Sequence, residues 1–157
     1  MHFQASPGEL IVLTGRIGCG KSTVMKAMIG ETFIVDGNVI RPDHVAYCAT
    51  EPFIINDTVE ANVYLGEEES KDRLERALKL ASIFEEVYFQ MPKGSMTLLG
   101  EKGTTLSGGQ RARLGLARAL YASRPSIYLL DDPFASLDAR VTEDILEHAI
   151  VEELCER

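Results

Sequence analysis

The sequence predicts an α/β fold in which a mainly parallel sheet with flanking helices is interrupted by a helical insertion. The unbroken apolar runs Leu10–Leu13 and Ile127–Leu130 are typical of strands that a parallel sheet buries on both faces. A glycine-rich stretch links the first run to a helical pattern, and within residues 52–102 the segment Arg73–Met91 has amphipathic helical spacing. We therefore expect a single domain whose α/β core comprises residues 1–51 and 103–157, with residues 52–102 as a helical subdomain.

The first third of the chain is predicted to contain one helix and three further strands. Ser22–Ile29 has helical spacing and precedes Gly30, a residue typical of helix C-termini. Phe33–Val35 and Asn38–Ile40 flank an Asp-Gly pair, which predicts two short strands joined by a turn. Val45–Cys48 is predicted to form another strand.

The rest of the chain is predicted to contain three helices and one strand. Arg73–Met91 has apolar residues three and four positions apart, which favours one amphipathic helix. Ser107–Ala122 is predicted to form a second helix, and the strand Ile127–Leu130 follows it. The last helix is expected over Ala139–Leu154, with Asp138 as its N-cap.

Composition excludes several functional classes. The chain has 157 residues, of which 45% are hydrophobic and 25% charged, and these values are typical of a globular protein. A net charge of −8 argues against binding through nucleic-acid phosphates, so no nucleic acid is expected as a partner. No apolar run approaches the roughly 20 residues of a membrane helix, so the chain itself is predicted to be soluble. Three scattered cysteines form no metal or disulfide pattern and favour a reducing compartment.

A phosphate-binding loop is the first motif that indicates a chemistry. It fits the pattern G-x-x-x-x-G-K-[ST] and consists of Gly15, Arg16, Ile17, Gly18, Cys19, Gly20, Lys21 and Ser22. Glycines let successive N–H groups point at phosphate oxygens, and the following helix adds the positive end of its dipole. Lys21 is placed to reach the β- and γ-phosphates, the Ser22 hydroxyl to bind Mg²⁺, and Thr23 to contact the α-phosphate. The alternative is a glycine-rich turn that binds nothing.

Two carboxylates end the strand Ile127–Leu130. Ligands of a parallel α/β sheet gather at the carboxyl ends of its strands, so Asp131 is expected near the phosphate loop, where it can hold Mg²⁺. Asp132 then stands where a catalytic base or water-orienting group is needed. By itself, an Asp-Asp pair often only caps a turn.

A second glycine motif marks the start of the helix Ser107–Ala122. Ser107 is predicted to cap this helix, and Gly108 and Gly109 leave its first N–H groups uncovered as far as Gln110. One ATP does not need two such sites on remote parts of a domain. The second site is therefore expected to serve the nucleotide of another subunit, although an ordinary helix cap is the alternative.

Together these residues resemble the nucleotide-binding domain of ABC transporters, and the resemblance covers nearly the whole chain. Four motifs correspond in order to the Walker A, signature, Walker B and D-loop motifs: Gly15–Ser22, Leu106–Gln110, Ile127–Asp131 and Ser136–Asp138. Finer features resemble the first such domain of the C subfamily, the multidrug-resistance-protein group: Gly18–Gly20, Val45–Tyr47, Asn56–Thr58, Gly100–Gly103 and Asp131–Pro133.

The resemblance implies a P-loop NTPase core of the ABC type that uses ATP and Mg²⁺. It implies head-to-tail pairing with a second nucleotide-binding domain, which would receive the signature residues and the D-loop residues Ser136 and Asp138. It also implies transmembrane domains of the same transporter, contacted around Phe53–Leu65, and a place at the cytoplasmic face of a membrane. ATP binding and hydrolysis would then drive solute export.

This sequence departs from the family's pattern in three places. Thr50 stands where the Q-loop usually has glutamine, and we count it with Ser22 and Asp131 as a candidate metal ligand. Asp132 replaces the usual catalytic glutamate, which predicts slow hydrolysis. The chain is expected to be truncated at both ends, without the upstream adenine-stacking aromatic residue and the later histidine switch.

Two other classes of function are alternatives to the transporter. A soluble ABC ATPase could act as a mechanical switch on a non-membrane partner. However, the stretch between Lys21 and Gly108 has no room for the long coiled coil of chromosome-type members, and the net charge disfavours the basic ribosome-associated type. A small-molecule P-loop kinase would leave Ser107–Gln110 without a role.

Overall fold

The computed structural model describes residues 4–155, so the ends of the predicted core, residues 1–3 and 156–157, lie outside the described residues. Its α-helices and strands are α1 (Lys21–Ile29), β1 (Val45–Cys48), α2 (Val59–Tyr64), α3 (Lys71–Leu80), α4 (Gly108–Tyr121), β2 (Ile127–Leu130) and α5 (Ala139–Ile145). Shorter helical turns are Glu86–Gln90, Gly94–Met96 and Glu101–Gly103, and the π-helical segment Leu146–Cys155 continues α5.

The strands β1 and β2 pair in parallel, as the sequence predicts for an α/β core. Val45 is in register with Ile127, and Cys48 with Leu130. The ladder extends past β1, because the N–H of Asp131 donates to the carbonyl of Cys48 at 2.9 Å. The carboxyl end of the sheet therefore carries the acidic residues.

The core lies where α4 packs against the sheet and against the helices of the insertion. α4 contacts α2, α3 and β1, and the residues buried along it include Leu114, Leu116 and Ala117. From α3, Leu74 and Leu78 are buried in the same cluster. α2 and α3 fall within the predicted helical subdomain, whose boundaries remain a prediction. Within residues 4–155, no helix is both long and apolar enough to span a membrane.

Three predicted strands are wrong. Leu10–Leu13, Phe33–Val35 and Asn38–Ile40 are irregular, and side chains such as Val12 (70% exposed) and Phe33 (99% exposed) face solvent. A strand needs a ladder to a neighbour, and none of the described backbone hydrogen bonds joins these segments to β1, to β2 or to each other. Apolar runs favour a strand only where tertiary pairing exists, and pairing is not visible in a local pattern.

The single helix predicted over Arg73–Met91 is also wrong, since α3 ends at Leu80. Ser82 has a left-handed backbone (φ 50°), and a second helical segment, which includes Glu86–Gln90, follows it. At this break the N–H groups of Ser82 and Ile83 donate to the carbonyls of Lys79 and Leu78 at 2.9 and 3.0 Å, and Arg113 of α4 donates to the Ser82 carbonyl at 2.5 Å. A long-range hydrogen bond of this kind leaves no trace in the apolar spacing of the segment.

The remaining predicted helices are confirmed, together with their caps. α1 ends before Gly30, which adopts φ 84°. The Ser107 hydroxyl accepts from the N–H of Gln110 at 3.1 Å, and the Gln110 side chain accepts from the N–H of Ser107, which completes a capping box. Asp138 caps α5 by accepting from the N–H of Val141 at 3.0 Å. The last helix reaches its predicted length only by continuing as π-helical turns.

Candidate functional site

The phosphate loop forms an open turn that leads directly into α1. Gly18 and Gly20 adopt left-handed backbone angles (φ 78° and 97°), which L side chains rarely take. Gly20 is the N-cap of α1 and brings no side chain to cover the first-turn N–H groups. The residues from Gly15 to Cys19 are exposed. Uncovered donors at a helix N-terminus favour an anion at this position.

Lys21 folds back over the loop from the first turn of α1. Its Nζ donates to the carbonyl of Gly15 at 3.1 Å and to that of Arg16 at 3.3 Å. The loop carbonyls therefore hold the ammonium group beside the uncovered N–H groups. This arrangement gathers a full positive charge and several donors on one small surface, as binding of a polyphosphate requires.

Ser22 and Asp131 meet although 109 residues separate them, because α1 begins at the edge where β2 ends. The Ser22 Oγ donates to Asp131 Oδ1 at 2.9 Å. The Tyr47 hydroxyl lies 3.5 Å from Asp131 Oδ2. Burial, followed by the negative charge of Asp131, raises the pKa of Tyr47, so this hydroxyl stays protonated as a donor.

The donor set at this edge fits a magnesium ion. Asp131 is only 6% exposed, and its carboxylate lies against the Ser22 hydroxyl. One carboxylate and one hydroxyl, with room left for water and phosphate oxygens, is the coordination that Mg²⁺ favours at nucleotide sites. No cluster of three or more His, Cys, Asp or Glu side chains with metal-binding geometry occurs within residues 4–155.

Thr50 lies beside this edge, in the loop after β1. Its Oγ1 donates to the backbone carbonyl of Asp131 at 2.9 Å. Two residues on, Pro52 packs onto α4, where a Cβ at Gly115 would lie 2.4 Å from the Pro52 ring. The glycine inside α4 is thus explained by the close approach of this loop. Metal binding by Thr50 remains a prediction.

Asp132 follows Asp131 with a left-handed backbone (φ 50°) and an exposed side chain. Aspartate tolerates this conformation better than most residues. The turn directs the chain away from the line of β2 immediately after the Ser22–Asp131 contact. Its catalytic role remains a prediction.

The second glycine motif and the Ser136–Asp138 segment lie side by side. A Cβ at Gly109 would lie 3.1 Å from the backbone oxygen of Ser136, and one at Gly108 would lie 3.9 Å from the Ser136 side chain. Within residues 4–155, no hydrogen bond or ion pair joins these segments to residues 15–22. The structure thus brings together the two segments predicted to face a partner, and it bonds neither of them to the phosphate loop.

Sequence reasoning missed a carboxylate that connects the insertion to the start of α4. Glu86 Oε1 lies 2.7 Å from Arg113 Nη1, and Glu86 Oε2 accepts from Gln110 Nε2 at 2.9 Å. Arg113 is 8% exposed. An arginine on the buried side of an amphipathic helix needs an anionic partner, and this was the available signal.

We expect the Glu86 contacts to stabilise the fold at neutral pH by about 2 kcal/mol, the usual range for hydrogen bonds to charged groups. Burial raises the pKa of Glu86, but the hydrogen bonds from Arg113 and Gln110, with the charge of Arg113, outweigh it and lower the pKa overall. A lowered pKa means that this stability is present above the pKa of an unfolded glutamate and is lost as the pH falls through the folded-state pKa.

Urea unfolding of the original chain and of Glu86→Gln checks this expectation. The difference in free energy of unfolding between the original chain and Glu86→Gln should be largest at pH 7. It should become smaller as the pH falls below the ordinary glutamate pKa. Glu75→Gln is the matched control, because Glu75 makes only an exposed pair with Lys79 at 3.8 Å. A gap that does not change with pH would contradict the assignment.

Comparison with known proteins gives consistent similarities. The sequence profile of the ABC transporter family matches residues 1–135. Bile pigment transporter 1 of Saccharomyces cerevisiae is 40% identical over 96% of this chain and 10% of its own length. Human ATP-binding cassette sub-family C member 4 is 36% identical over 100% of the chain and 12% of its own length. The chain thus spans about a tenth of these relatives.

A solved structure agrees with the sequence comparison. A bacterial Atm1-family ABC exporter with ATP bound superposes with a TM-score of 0.82 at 26% identity, over 90% of this chain and 27% of that one.

Proposed function

Since the chain belongs to the ABC transporter family, we propose that it is an ATP-binding domain that couples binding and slow hydrolysis of ATP to solute export across a membrane. The observation that carries this proposal is the Ser22–Asp131 hydrogen bond of 2.9 Å beside Lys21. It joins the phosphate loop and the acidic strand end, which lie far apart in the sequence, into one site. One similar relative is named a transporter and the similar solved structure is an exporter, which favours this function over a soluble mechanical ATPase.

Different residues of the site would bind the phosphates and the metal ion of Mg²⁺-ATP. The N–H groups from Gly15 to Thr23 and the Lys21 ammonium would hold the phosphates, and the ammonium would exchange the loop carbonyls for β- and γ-phosphate oxygens. Ser22 and Asp131 would hold Mg²⁺, with Thr50 close by. When bound, Mg²⁺ neutralises phosphate charge and so favours phosphoryl transfer to water.

A second nucleotide-binding domain is the proposed partner. Ser107, Gly108, Gly109 and Gln110 would face its ATP, with the D-loop residues Ser136 and Asp138 beside them. The contact of both signature glycines with Ser136 supports one continuous face. Transmembrane domains of the same transporter complete the assembly, and this places the domain at the cytoplasmic face of the membrane.

Gly108→Asp is expected to abolish ATP-dependent pairing. The nearest atom to a Cβ at Gly108 is 3.9 Å away, so a side chain fits within the chain itself. A carboxylate on this face would meet the γ-phosphate of the partner's ATP and repel it. The lone chain keeps its own phosphate loop and should still bind ATP.

Sedimentation velocity with Mg²⁺-ATP tests the Gly108→Asp expectation. The control is Gly108→Ala, which adds a Cβ without a charge and should pair within a few-fold of the original chain. Loss of ATP binding by the lone Gly108→Asp chain would place the motif in its own pocket and contradict the proposed pairing.

Asp132→Glu is expected to raise ATP turnover in the assembled transporter. A water-orienting group must come within about 2.6–3.2 Å of the attacking water, and aspartate is one methylene shorter than the family's usual glutamate. A misplacement of about 1 Å costs on the order of a hundredfold in rate. Phosphate release at saturating ATP measures the change, with Asp132→Asn as the control that should stay slow. Equal rates for the original chain and Asp132→Glu would contradict this role for Asp132.

A further inference from the structure

We propose that Glu86 is a positioning residue that sets the first turn of α4, and with it Gly108 and Gly109, relative to the helical insertion. The inference rests on the proposed function and deepens it. It concerns the helical turn that would face the second domain's nucleotide, and it makes the position of that turn depend on the Glu86 carboxylate of the insertion. Three sets of contacts carry it.

The first contact fixes the Gln110 side chain at both ends. Its Oε1 accepts from the N–H of Ser107 at 2.8 Å, and its Nε2 donates to Glu86 Oε2 at 2.9 Å. A capping box normally leaves the far end of the N3 amide in water. Here that far end is held by Glu86, so the orientation of the cap depends on the insertion.

The second contact runs through Arg113, one turn further along α4. Its Nη1 lies 2.7 Å from Glu86 Oε1, and its Nε donates to the carbonyl of Gly109 at 3.3 Å. Glu86 therefore holds the Arg113 guanidinium, which in turn donates a hydrogen bond to the backbone carbonyl of Gly109. Because Arg113 is nearly buried, its loss of an anionic partner would be costly, and the side chain cannot simply turn into water.

The third contact connects the same guanidinium to the bend in the insertion. Arg113 Nη1 donates to the carbonyl of Ser82 at 2.5 Å, at the left-handed residue that ends α3. Glu86 lies in the helical segment after this bend. The insertion thus contacts the start of α4 through two residues, Ser82 and Glu86. A displacement of the insertion would shift the two glycines without changing residues 15–22.

Hydrogen exchange of the chain without nucleotide tests the positioning role directly. In Glu86→Gln, amides in peptides covering residues 106–116 should exchange about tenfold faster, because a charged hydrogen-bond partner of the first turn is lost. Amides of β1 and β2 that exchange by local opening should keep their rates, and those that exchange only through global unfolding should accelerate no more than the loss of unfolding free energy measured in urea requires. Glu75→Gln, which removes an exposed carboxylate of α3, should change neither region. Equal acceleration of all regions would show a role in global stability only and would overturn the proposal.

A swapped pair provides the rescue experiment. Gln110→Glu alone would set two carboxylates against each other at the 2.9 Å contact and should speed exchange of the same peptides. In Glu86→Gln with Gln110→Glu, residue 110 still caps the N–H of Ser107, and the amide at 86 donates to it. Protection should recover relative to the worse single variant but only in part, because the amide at 86 restores the pair with residue 110 and leaves Arg113 without its carboxylate. A double variant as unprotected as the worse single variant would overturn the proposal.

Measurements of ATP binding and of ATP-dependent pairing distinguish a failure of this inference from a failure of the proposed function. The Glu86→Gln chain should bind Mg²⁺-ATP with unchanged affinity, while its pairing constant in sedimentation velocity should fall about tenfold. If the original chain binds no ATP, the proposed function fails, but the exchange result still decides the positioning role. If ATP-driven pairing of Glu86→Gln equals that of the original chain, the signature turn does not depend on Glu86.

Discussion

Replacing Lys21 with alanine is expected to weaken Mg²⁺-ATP binding by about a hundredfold. The ammonium group lies over the loop, 3.1 Å from the Gly15 carbonyl, beside the uncovered N–H groups of α1. Removing it takes away the positive charge that we propose reaches the β- and γ-phosphates. Alanine favours helix slightly more than lysine, so α1 should remain folded.

Competition titration with a fluorescent ATP analogue measures the Lys21→Ala effect. Lys26→Ala is the matched control, because it removes the same charge from the exposed last turn of the same helix. It should bind the analogue within about twofold of the original chain. If the two variants bind equally well, the phosphate loop is misassigned.

Replacing Asn62 with alanine is expected to destabilise the fold by about 3–5 kcal/mol, through the loss of several buried hydrogen bonds. Asn62 is 0% exposed. Its Nδ2 donates to the carbonyls of Ile55 and Thr58 at 3.1 and 2.9 Å, and its Oδ1 accepts from the N–H of Ile55 at 2.9 Å. Alanine would leave the N–H and carbonyl of Ile55 without these partners, whereas the Thr58 carbonyl would keep its bond from the backbone N–H of residue 62 at 3.1 Å. They belong to the segment Phe53–Leu65, which we propose contacts the membrane domains.

Urea unfolding measures the Asn62 effect. Asn38→Ala, at an exposed position, is the control and should change the free energy of unfolding by less than about 0.5 kcal/mol. Asn62→Asp keeps the acceptor for Ile55 but loses both donors. Its loss of unfolding free energy should lie between those of Asn62→Ala and Asn38→Ala. Equal stability of Asn62→Ala and Asn38→Ala would mean that the loop is not held by Asn62.

The nucleotide-site motifs and their supporting helices could be predicted from the sequence because each depends on nearby residues. A glycine loop before a helix, a serine cap before Gln110 and an apolar run before Asp131 are local signals, and the structure places them as expected. The contact between Ser22 and Asp131 also follows, since strand ends of a parallel sheet share one edge.

The errors arise where partners far along the chain decide the structure. Leu10–Leu13 is as apolar as β2, but it has no ladder partner among the described strands. At the break after α3, the Ser82 carbonyl accepts from Arg113, which lies 31 residues later. Arg118 of α4 similarly holds the insertion, with Nε donating to the Asn62 carbonyl at 2.8 Å and the guanidinium 4.5 Å from the Phe53 ring centroid. The spacing of apolar residues along a sequence does not reveal such long-range hydrogen bonds.

Calorimetric titration of the 157-residue chain with ATP, with and without Mg²⁺, tests the central claim most directly. Binding of Mg²⁺-ATP through the phosphate loop and Asp131 predicts a saturable isotherm with one nucleotide per chain. It also predicts an affinity at least about tenfold weaker when Mg²⁺ is chelated, because the Asp131 carboxylate then faces the phosphates without a bridging cation. No saturable heat at millimolar Mg²⁺-ATP would contradict the claim that this chain is an ATP-binding domain.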